Sequence, residues 1–362
     1  MPDLDAICAT GLRLAFSPAE QVFDRQLRDG SWAMTGAEET VSGSLICLIA
    51  VDRAEVEVPG LQPRAALDGL LGRLAERGQL GALGLAIWAA AVLDGPPPAE
   101  ILAAAGAGDD SAQLATRLTT MELAWLVSGL LHDQHRRPSS EPQAGRRLRA
   151  ALDELAARRA PSGLMRHAGR GARLAARLRG DVANFADQVY AIQAYALAAA
   201  AGLAEGRPRA LALAEAVAVR QGPLGQWWWH YGAERGTIAS RYPVYAVHQH
   251  GMAPMAFGAL AAVTGDERWV EIARRGRRWL TDNELAATLV DESVPTIWRS
   301  IERREPRPRR WLRRAAYVLG SATDGDEQPA LVLNRETRPY EWAWQLYASA
   351  QAGARPRRAH IL

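Results

Sequence analysis

Six helical segments that are apolar on nearly all sides alternate along the chain with helical segments that carry arginine on one face. Alanine and leucine recur at helical spacing, while the alternating β-branched runs typical of strands are almost absent. The apolar segments are residues 44–51, 83–93, 121–131, 187–203, 251–263 and 340–350, and the amphipathic segments include 63–78, 145–160, 207–222 and 266–282. A helix that is apolar all round must be buried on all sides, whereas a helix with a charged face lies at the surface.

This alternation predicts an all-α protein with the (α/α)6 toroid fold, a closed ring of six helical hairpins with the apolar helices inside. We expect residues 1–362 to form a single toroid domain. An irregular insertion rich in Pro and Arg is expected at about 281–339, with loops and one extra outer helix, followed by a flexible tail at 352–362. Two separate helical domains are the alternative architecture.

All 43 basic residues are arginine, since the sequence contains no lysine. This absence excludes a Schiff-base lysine, a pyridoxal-phosphate lysine and a P-loop lysine. The formal net charge of +3 is too small to indicate nucleic-acid binding by itself. We therefore expect a small-molecule or oligosaccharide substrate, no nucleic-acid partner and no cofactor.

The only two cysteines, Cys8 and Cys47, form neither a CxxC motif nor a cluster with histidine. Such sparse cysteine indicates a reducing compartment and argues against a structural zinc site. The first residues lack a basic region followed by an apolar run, so we expect no signal peptide. No run of about 20 uninterrupted apolar residues occurs, so we expect no membrane span. The sequence predicts a cytoplasmic protein and leaves its oligomeric state open.

Polar side chains collect at the starts of the apolar helices. Inner helices of such a ring run in the same direction, so their N-terminal ends share one mouth, where free NH groups and the helix dipole favour anions and polar ligands. Helix capping accounts well for Thr119, Thr120 and Asn184, but poorly for the runs at 248–250 and 334–340. The mouth residues are Glu38, Glu39, Thr40, Ser42, Gln79, Thr119, Thr120, Glu122, Asn184, Asp187, Gln188, His248, Gln249, His250, Asn334, Arg335, Glu336, Arg338, Tyr340 and Glu341.

The stretch 225–255 is the densest group of candidate ligand-binding side chains. Its three consecutive tryptophans, Trp227, Trp228 and Trp229, cannot all face one core, so at least one should be exposed or line a cavity. Aromatic rings beside planar donors suit a sugar ring, and they also suit an apolar substrate that generates a cation. An aromatic loop packed on the ring is the purely structural alternative. The expected substrate-binding residues are Trp228, Trp229, His230, Tyr190, Arg241, Tyr242, Gln249, Trp298, Glu336, Arg338 and Tyr340.

Four side chains are candidates for proton transfer: Asp187, His248, His250 and Glu341. An isolated acid that enters an apolar helix, as Asp187 does, is a helix cap, a mouth carboxylate or both. His248 and His250 could form a metal pair with Asp187 as third ligand, but no further ligand is clustered in sequence. Acid–base chemistry or substrate binding is therefore the preferred hypothesis, and no metal site is expected.

Charged and aromatic side chains near the last inner helix complete the predicted site. Glu336 lies between Arg335 and Arg338, which are expected to balance its charge and to favour substrate orientation over proton donation. Trp298 and Arg299 are candidates for an aromatic wall and a cationic clamp. Surface pairing of Arg299 with Glu302 is the alternative for that arginine.

Five motifs carry a resemblance to a known group of proteins: WWWHY (227–231), RYPVYAVHQHGMAPM (241–255), FADQVYAIQAYA (185–196), TMELAW (120–125) and NRETRPYEWAW (334–344). From about residue 28 onward the chain resembles six-hairpin toroid proteins, a clan that includes glycoside hydrolases, unsaturated-uronyl hydrolases, sugar 2-epimerases and the related toroids of terpenoid cyclases. More narrowly, it is similar to bacterial proteins of this fold described near polysaccharide biosynthesis. An acid is usual in that set at the positions of Gly232 and His250, so the resemblance implies altered or lost chemistry here.

Three functions follow as hypotheses. A carbohydrate-active enzyme would act by carboxylate or histidine acid–base chemistry in a central cavity. As a hydrolase it would use Asp187 and Glu341, with Glu122 in reserve, and as an epimerase the imidazoles of His248 and His250 or of His230. A terpenoid-cyclase-like enzyme with an aromatic cavity is the second hypothesis, although neither DxDD nor DDxxD occurs, and residues 109–113 (DDSAQ) lack the final acid. A non-catalytic saccharide-binding or scaffold protein is the third.

Overall fold

Six inner helices pack side by side, each against the next, and the last returns to the first, so the ring is closed. The computed structural model describes residues 2–108, 110–138, 142–179, 181–306 and 330–353, with Arg309, Leu312, Ala316 and Tyr317. The inner helices are α2 (Ala37–Ala54), α4 (Leu83–Val92), α7 (Thr120–Arg136), α10 (Phe185–Ala200), α12 (Ala253–Thr264), which a π-helical turn (His248–Met252) precedes, and α14 (Pro339–Gly353).

Outer helices alternate with the inner ones along the chain, and α3, α8, α11 and α13 each pack mainly on the inner helix that precedes them. They are α1 (Leu4–Ala15), α3 (Pro63–Arg77), α5 (Pro98–Ala104) with α6 (Ser111–Arg117), α8 (Pro142–Ala157), α11 (Gly206–Ala218) and α13 (Arg268–Arg278). The first outer helix, α1, also packs on the last inner helix, α14, which joins the two ends of the described chain into the same ring.

Burial differs between the two layers as the sequence pattern requires. Every residue of α4 from Leu83 to Ala91 is buried, whereas α13 buries only Trp269, Ala273 and Gly276 on one face. Small residues bring inner helices close together: a Cβ at Gly84 would collide with the α7 backbone at Leu126. The six apolar segments thus form the inner helices, and the predicted all-α (α/α)6 toroid is confirmed.

Short antiparallel strands, which the sequence did not predict, lie at the N-terminal ends of the inner helices. β4, β5, β8 and β13 lead directly into α2, α10, the π-helical turn and α14. The three-stranded sheets are β13 (Glu336–Thr337) with β3 (Arg25–Arg28) and β4 (Ser31–Met34), β5 (Val182–Asn184) with β6 (His230–Gly232) and β7 (Thr237–Ser240), and β12 (Leu331–Asn334) with β11 (Ser300–Arg303) and β8 (Val244–Tyr245). Strands of two to four residues are too short to show a period-two pattern.

Two ribbons complete the described strands, β1 (Phe16–Ser17) with β2 (Val22–Phe23) and β9 (Val290–Asp291) with β10 (Thr296–Ile297). In the expected insertion, residues 281–306 and 330–338 consist of turns and short strands, whereas the described residues Arg309, Leu312, Ala316 and Tyr317 are helical. The rest of the extra outer helix expected there and most of the tail at 352–362 lie outside the described residues. None of the described helices combines the length and the apolar character that a membrane crossing requires.

Candidate functional site

A cavity of about 680 Å³ opens at the N-terminal ends of the inner helices. Residues of α2, α7, α10 and α14 line it, as do residues of the 3-10 turn (Leu80–Ala82) before α4 and of the π-helical turn before α12, because these elements lie at the same end of the ring. One lining residue from each of the six elements is Ser42, Ala82, Trp125, Tyr190, His248 and Tyr340. The predicted shared mouth therefore exists as a single hollow.

The three consecutive tryptophans point to different places. Trp227 is fully buried and stacks on Phe257 at 5.2 Å, and Trp228 is also buried, outside the lining. Trp229 lines the cavity and meets the ring of Tyr245 edge-on at 5.0 Å. The prediction that at least one of the three lines a cavity is met by Trp229.

His248 lies in the cavity wall at the start of the π-helical turn. Its ring packs against Phe185 at 4.7 Å and Tyr245 at 5.3 Å, and it is 5% exposed. Burial, assisted by the charge of Arg299, lowers the pKa of His248 to about 3. Within the part of the chain described, its Nδ1 has no hydrogen-bond partner. His248 is thus a neutral imidazole at the edge of the cavity with capacity for another hydrogen bond.

His250 occupies the opposite side of the same turn. Residues two apart on a helix point in nearly opposite directions, and His250 contacts Gln345 of α14 and lies outside the cavity lining. Burial and the charge of Arg277 lower the pKa of His250 to about 3. The structure therefore does not bring the two histidines together at the cavity. Among the described residues no three His, Cys, Asp or Glu side chains are grouped to hold a metal ion.

A buried ion pair stands behind the wall that Tyr340 and Tyr245 form. Arg299 Nη1 lies 2.9 Å from Glu341 Oε1, and Arg299 itself lines the cavity over the ring of Tyr245. Burial raises the pKa of Glu341, and the charge of Arg299 opposes this rise. Burial works against the charged form of Arg299, yet Glu341 and the nearby tyrosines raise the pKa of its guanidinium. Arg299 is thus a fixed cation facing the cavity, and its partner is Glu341 in place of the alternative Glu302.

Glu39 and Glu122 are the carboxylates of the cavity lining in the described structure. Glu39 is ion-paired with Arg338, and the Oε2 atom of Glu122 accepts a hydrogen bond from the backbone NH of Thr119 at 2.7 Å. A Cβ at Gly81 would collide with Glu122 Oε1, so glycine keeps that corner of the cavity open. Both lining carboxylates are therefore engaged before any ligand binds.

Asp187 is fully buried and lies outside the cavity lining. Its carboxylate accepts hydrogen bonds from the backbone NH of Asn184 at 2.8 Å and of Met121 at 3.1 Å, and from His167 Nδ1 at 2.8 Å. The acid therefore caps α10, ties it to α7 and orients His167, which is the capping alternative of the sequence analysis.

The other predicted binding residues divide between the cavity and its surroundings. Tyr190 and Tyr340 line the cavity, whereas His230 and Tyr242 line a separate pocket of about 60 Å³ behind Trp229. The remaining ones, Arg241, Gln249, Trp298, Glu336 and Arg338, lie outside the cavity lining.

Two of these outlying residues have structural partners in the mouth. Gln249 is fully buried and its amide binds both the NH and the carbonyl of Trp227, which holds the aromatic loop in place. Glu336 pairs with Arg28 of β3 at 2.9 Å, a partner distant in sequence, in place of the neighbouring arginines. These side chains therefore shape the mouth without facing the cavity.

Sequence reasoning missed three side chains of the site region: Trp125, Arg173 and His167. Trp125 sits one helical turn below Glu122 and was assigned to the apolar face of its helix, although that spacing also places it under the mouth. Arg173 and His167 lie in the loop before α10, where no periodicity exists to indicate a direction.

Solved structures of sugar epimerases share this architecture. A sugar epimerase from a ruminal bacterium matches with a TM-score of 0.59 and 10% identity over 96% of both chains. The cellobiose 2-epimerase of Bacillus thermoamylovorans B4167 matches with a TM-score of 0.55 and 11% identity, covering 91% of this chain and 89% of its own. The cellobiose 2-epimerase of Spirochaeta thermophila DSM 6192 matches with a TM-score of 0.53 and 12% identity, covering 95% of this chain and 93% of its own.

No protein-family model and no curated protein matches the chain. At 10–12% identity, the likeness to solved structures establishes the fold alone. The chain therefore has the six-hairpin (α/α)6 toroid fold of these sugar epimerases.

Proposed function

We propose that the protein is a carbohydrate-active enzyme of the sugar-epimerase type, which binds a saccharide in the 680 Å³ cavity. The observation that carries the proposal is His248, a neutral imidazole in a cavity wall that also holds aromatic rings and the cation of Arg299. The structural neighbours, a sugar epimerase and two cellobiose 2-epimerases, support the same substrate class.

Trp229, Tyr245 and Tyr190 supply ring faces on which the CH groups of a sugar can stack. The guanidinium of Arg299 supplies hydrogen-bond donors that suit hydroxyl and carbonyl oxygens. A saccharide thus finds both an apolar face and a polar rim, the combination that ligand sites of this size use.

Epimerisation next to a carbonyl needs a base that removes a proton from carbon and a cation that stabilises the resulting enediolate. His248 is unprotonated at neutral pH, so it can take that proton and return it to the same carbon once the enediolate has turned its opposite face toward the imidazole. Arg299, held by Glu341, is positioned to face negative charge that develops on the sugar oxygens. A negatively charged intermediate in the cavity would raise the pKa of His248 and stabilise the proton that it has accepted.

A hydrolase is disfavoured by the state of the carboxylates. Hydrolysis of a glycosidic bond requires one protonated acid and a second carboxylate that acts as base or nucleophile. Glu39 is bound to Arg338, Glu122 is bound to a backbone NH, and Glu341 is bound to Arg299. A cyclase is disfavoured because these polar groups make the mouth unlike one lined only by apolar rings.

The test is proton exchange measured by NMR in D2O with a panel of reducing mono- and disaccharides. An epimerase introduces deuterium at C2 and produces the epimer, whereas a hydrolase produces new reducing ends. Replacing the base, His248→Asn, is expected to lower the exchange rate at least about 100-fold, the usual contribution of a general base.

His250→Asn is the matched control, because His250 lies on the same turn and is equally buried but outside the cavity. It is expected to retain exchange within about threefold when both variants are assayed folded, as checked by circular dichroism. No exchange with any sugar that binds would leave a non-catalytic saccharide-binding protein as the function. Equal exchange by His248→Asn and the parent would overturn the role of His248.

A further inference from the structure

A second cavity of about 390 Å³ lies beside the first. Gly81, Glu122 and Arg173 line both cavities, so the two share a boundary. The second, which we call the side cavity, lies between the 3-10 turn before α4, the start of α7 and the loop before α10. The proposed mechanism does not use it.

Positive charge dominates the side cavity. Arg117, Arg173 and Arg179 line it, while the carboxylate in its described lining is Glu122. Glu122 already accepts a hydrogen bond from the NH of Thr119. For the residues that the structure describes, neither Arg117 nor Arg173 has a carboxylate partner within salt-bridge distance. Guanidinium groups with no carboxylate are available to bind an external anion.

Arg179 is held in place by a chain of hydrogen bonds that ends at a buried carboxylate. It donates to Asn184 Oδ1 at 2.6 Å and approaches His167 Nε2 at 3.4 Å. Because a guanidinium only donates, His167 must accept at Nε2 and donate from Nδ1 to Asp187, which is 2.8 Å away. The buried Asp187 thereby fixes His167, which helps to position Arg179. Such preorganisation is typical of a binding site, since it spares the cost of ordering the side chain when the ligand arrives.

We propose that the side cavity binds the anionic group of an acidic saccharide whose sugar ring occupies the main cavity. The group is a carboxylate or a phosphate, because both present the paired oxygens that guanidinium groups bind. The inference rests on the proposed function and narrows its substrate class from saccharides in general to anionic ones. It also explains why Asp187, a predicted catalytic acid, is instead buried behind His167.

The test compares matched sugars by isothermal titration calorimetry: glucose, galactose and mannose, the corresponding uronates, and the corresponding 6-phosphates. Acidic members of at least one stereochemical set are expected to bind about tenfold more tightly than the neutral parent, as one charge-assisted contact provides. Comparison of the affinities for the uronates and the 6-phosphates shows which anion the side cavity binds.

Arg117→Gln is the decisive variant, because Arg117 lines the side cavity and not the main one. It is expected to reduce the preference for the acidic sugar about fivefold and to leave the affinity for the neutral sugar unchanged. The matched control is Arg177→Gln, since Arg177 is exposed in α9 (Leu174–Arg177), on the loop that carries Arg173 and Arg179, and lines neither cavity.

Each remaining outcome overturns a stated part of the proposal. Equal affinity for neutral and acidic sugars, or an equal loss in Arg117→Gln and Arg177→Gln, would reject the anion subsite while the saccharide function stands. Failure of all the sugars to bind would reject the saccharide function and the subsite together. A preference that persists unchanged in Arg117→Gln, and also in Arg173→Gln, would place the anion elsewhere.

Discussion

The starts of α10 and of the π-helical turn before α12 lie against each other, with Phe185 of one packed on His248 of the other. Each brings polar side chains to the mouth within its first turn, and each carries a residue predicted to be catalytic, Asp187 in α10 and His248 in the π-helical turn. At α10 the carboxylate of Asp187 accepts three hydrogen bonds from its own protein. At the π-helical turn His248 lines the cavity, and its Nδ1 has no hydrogen-bond partner among the described residues.

The difference shows that a polar residue at a shared mouth becomes available for chemistry only where the local backbone does not already use it. A carboxylate at the third position of a helix can bind the free NH groups that every helix start exposes. Imidazole is a poorer partner for those groups, and in the π-helical turn the amide of Gln249 stabilises the aromatic loop instead. The adjacent His248 is thereby left for a ligand.

The largest expected effect is acid sensitivity contributed by the histidines. Burial lowers the pKa of His248, His250 and His132 to about 3, below the ordinary value of 6.5. The unfolded chain therefore binds protons that the folded chain cannot, so their contribution to stability is complete above pH 6.5 and is lost as the pH falls toward 3. At pH 5 each of the three histidines lowers the free energy of unfolding by about 2 kcal/mol, which makes about 6 kcal/mol for the three together.

Urea unfolding at pH 7, 6 and 5 measures this loss. His248→Asn and His250→Asn are each expected to remove about one third of the pH dependence, since each removes one of three equal contributions. A free energy of unfolding that stays constant between pH 7 and pH 5 would show that the imidazoles are accessible to protons. The contrast between His248, which is available to bind a ligand, and Asp187, whose carboxylate already accepts three hydrogen bonds, would then lose its basis.

The next effect concerns stability at the start of α10. Asp187→Asn replaces one acceptor oxygen by an NH2 group that faces donors from Asn184, Met121 and His167. We expect a loss of about 3 kcal/mol in the free energy of unfolding, the usual cost of breaking a buried charged network. Thermal and urea unfolding at pH 7.5 measure it.

Glu341→Gln is a useful comparison, because it also removes a buried carboxylate but at the wall that Arg299 shares with the cavity. It is expected to lower the rate of sugar turnover as well as stability. If Asp187→Asn remained as stable as the parent and lost only activity, Asp187 would be a catalytic acid after all, and the two helix starts would be equivalent.

Much of the fold was predictable, because apolar surface on all sides of a helix leaves burial as its only stable location. The segment 83–93 illustrates this, since nearly all of it is buried in α4. The shared mouth follows from the same pattern once the helices are taken to run in one direction. His248 could be selected as a candidate because capping did not explain it, and Trp229 because three consecutive tryptophans cannot all face one core.

Side-chain direction at the mouth was not predictable from the sequence. The π-helical turn changes which residues of 248–252 face inward, and no residue type specifies such a turn. Glu336 forms an ion pair with Arg28, more than 300 residues away in sequence, and not with the arginines beside it, because the pairing of β13 with β3 brings Glu336 and Arg28 together. Arg173 and His167 lie in a loop whose course depends on tertiary contacts alone.

The smallest expected effect tests whether a saccharide contacts Trp229 on its cavity side. Trp229 has one neighbour on each side, Tyr245 in the cavity wall and His230 stacked at 4.1 Å in the separate pocket. Trp229→Ala is expected to weaken binding of a saccharide about fivefold to tenfold, because it removes a stacking face. His230→Ala leaves that face in place and should change affinity less than twofold. Titration of both variants with the tightest-binding sugar measures this difference in affinity. Equal losses of affinity in the two variants would mean that the saccharide contacts the separate pocket and does not bind in the cavity beside His248.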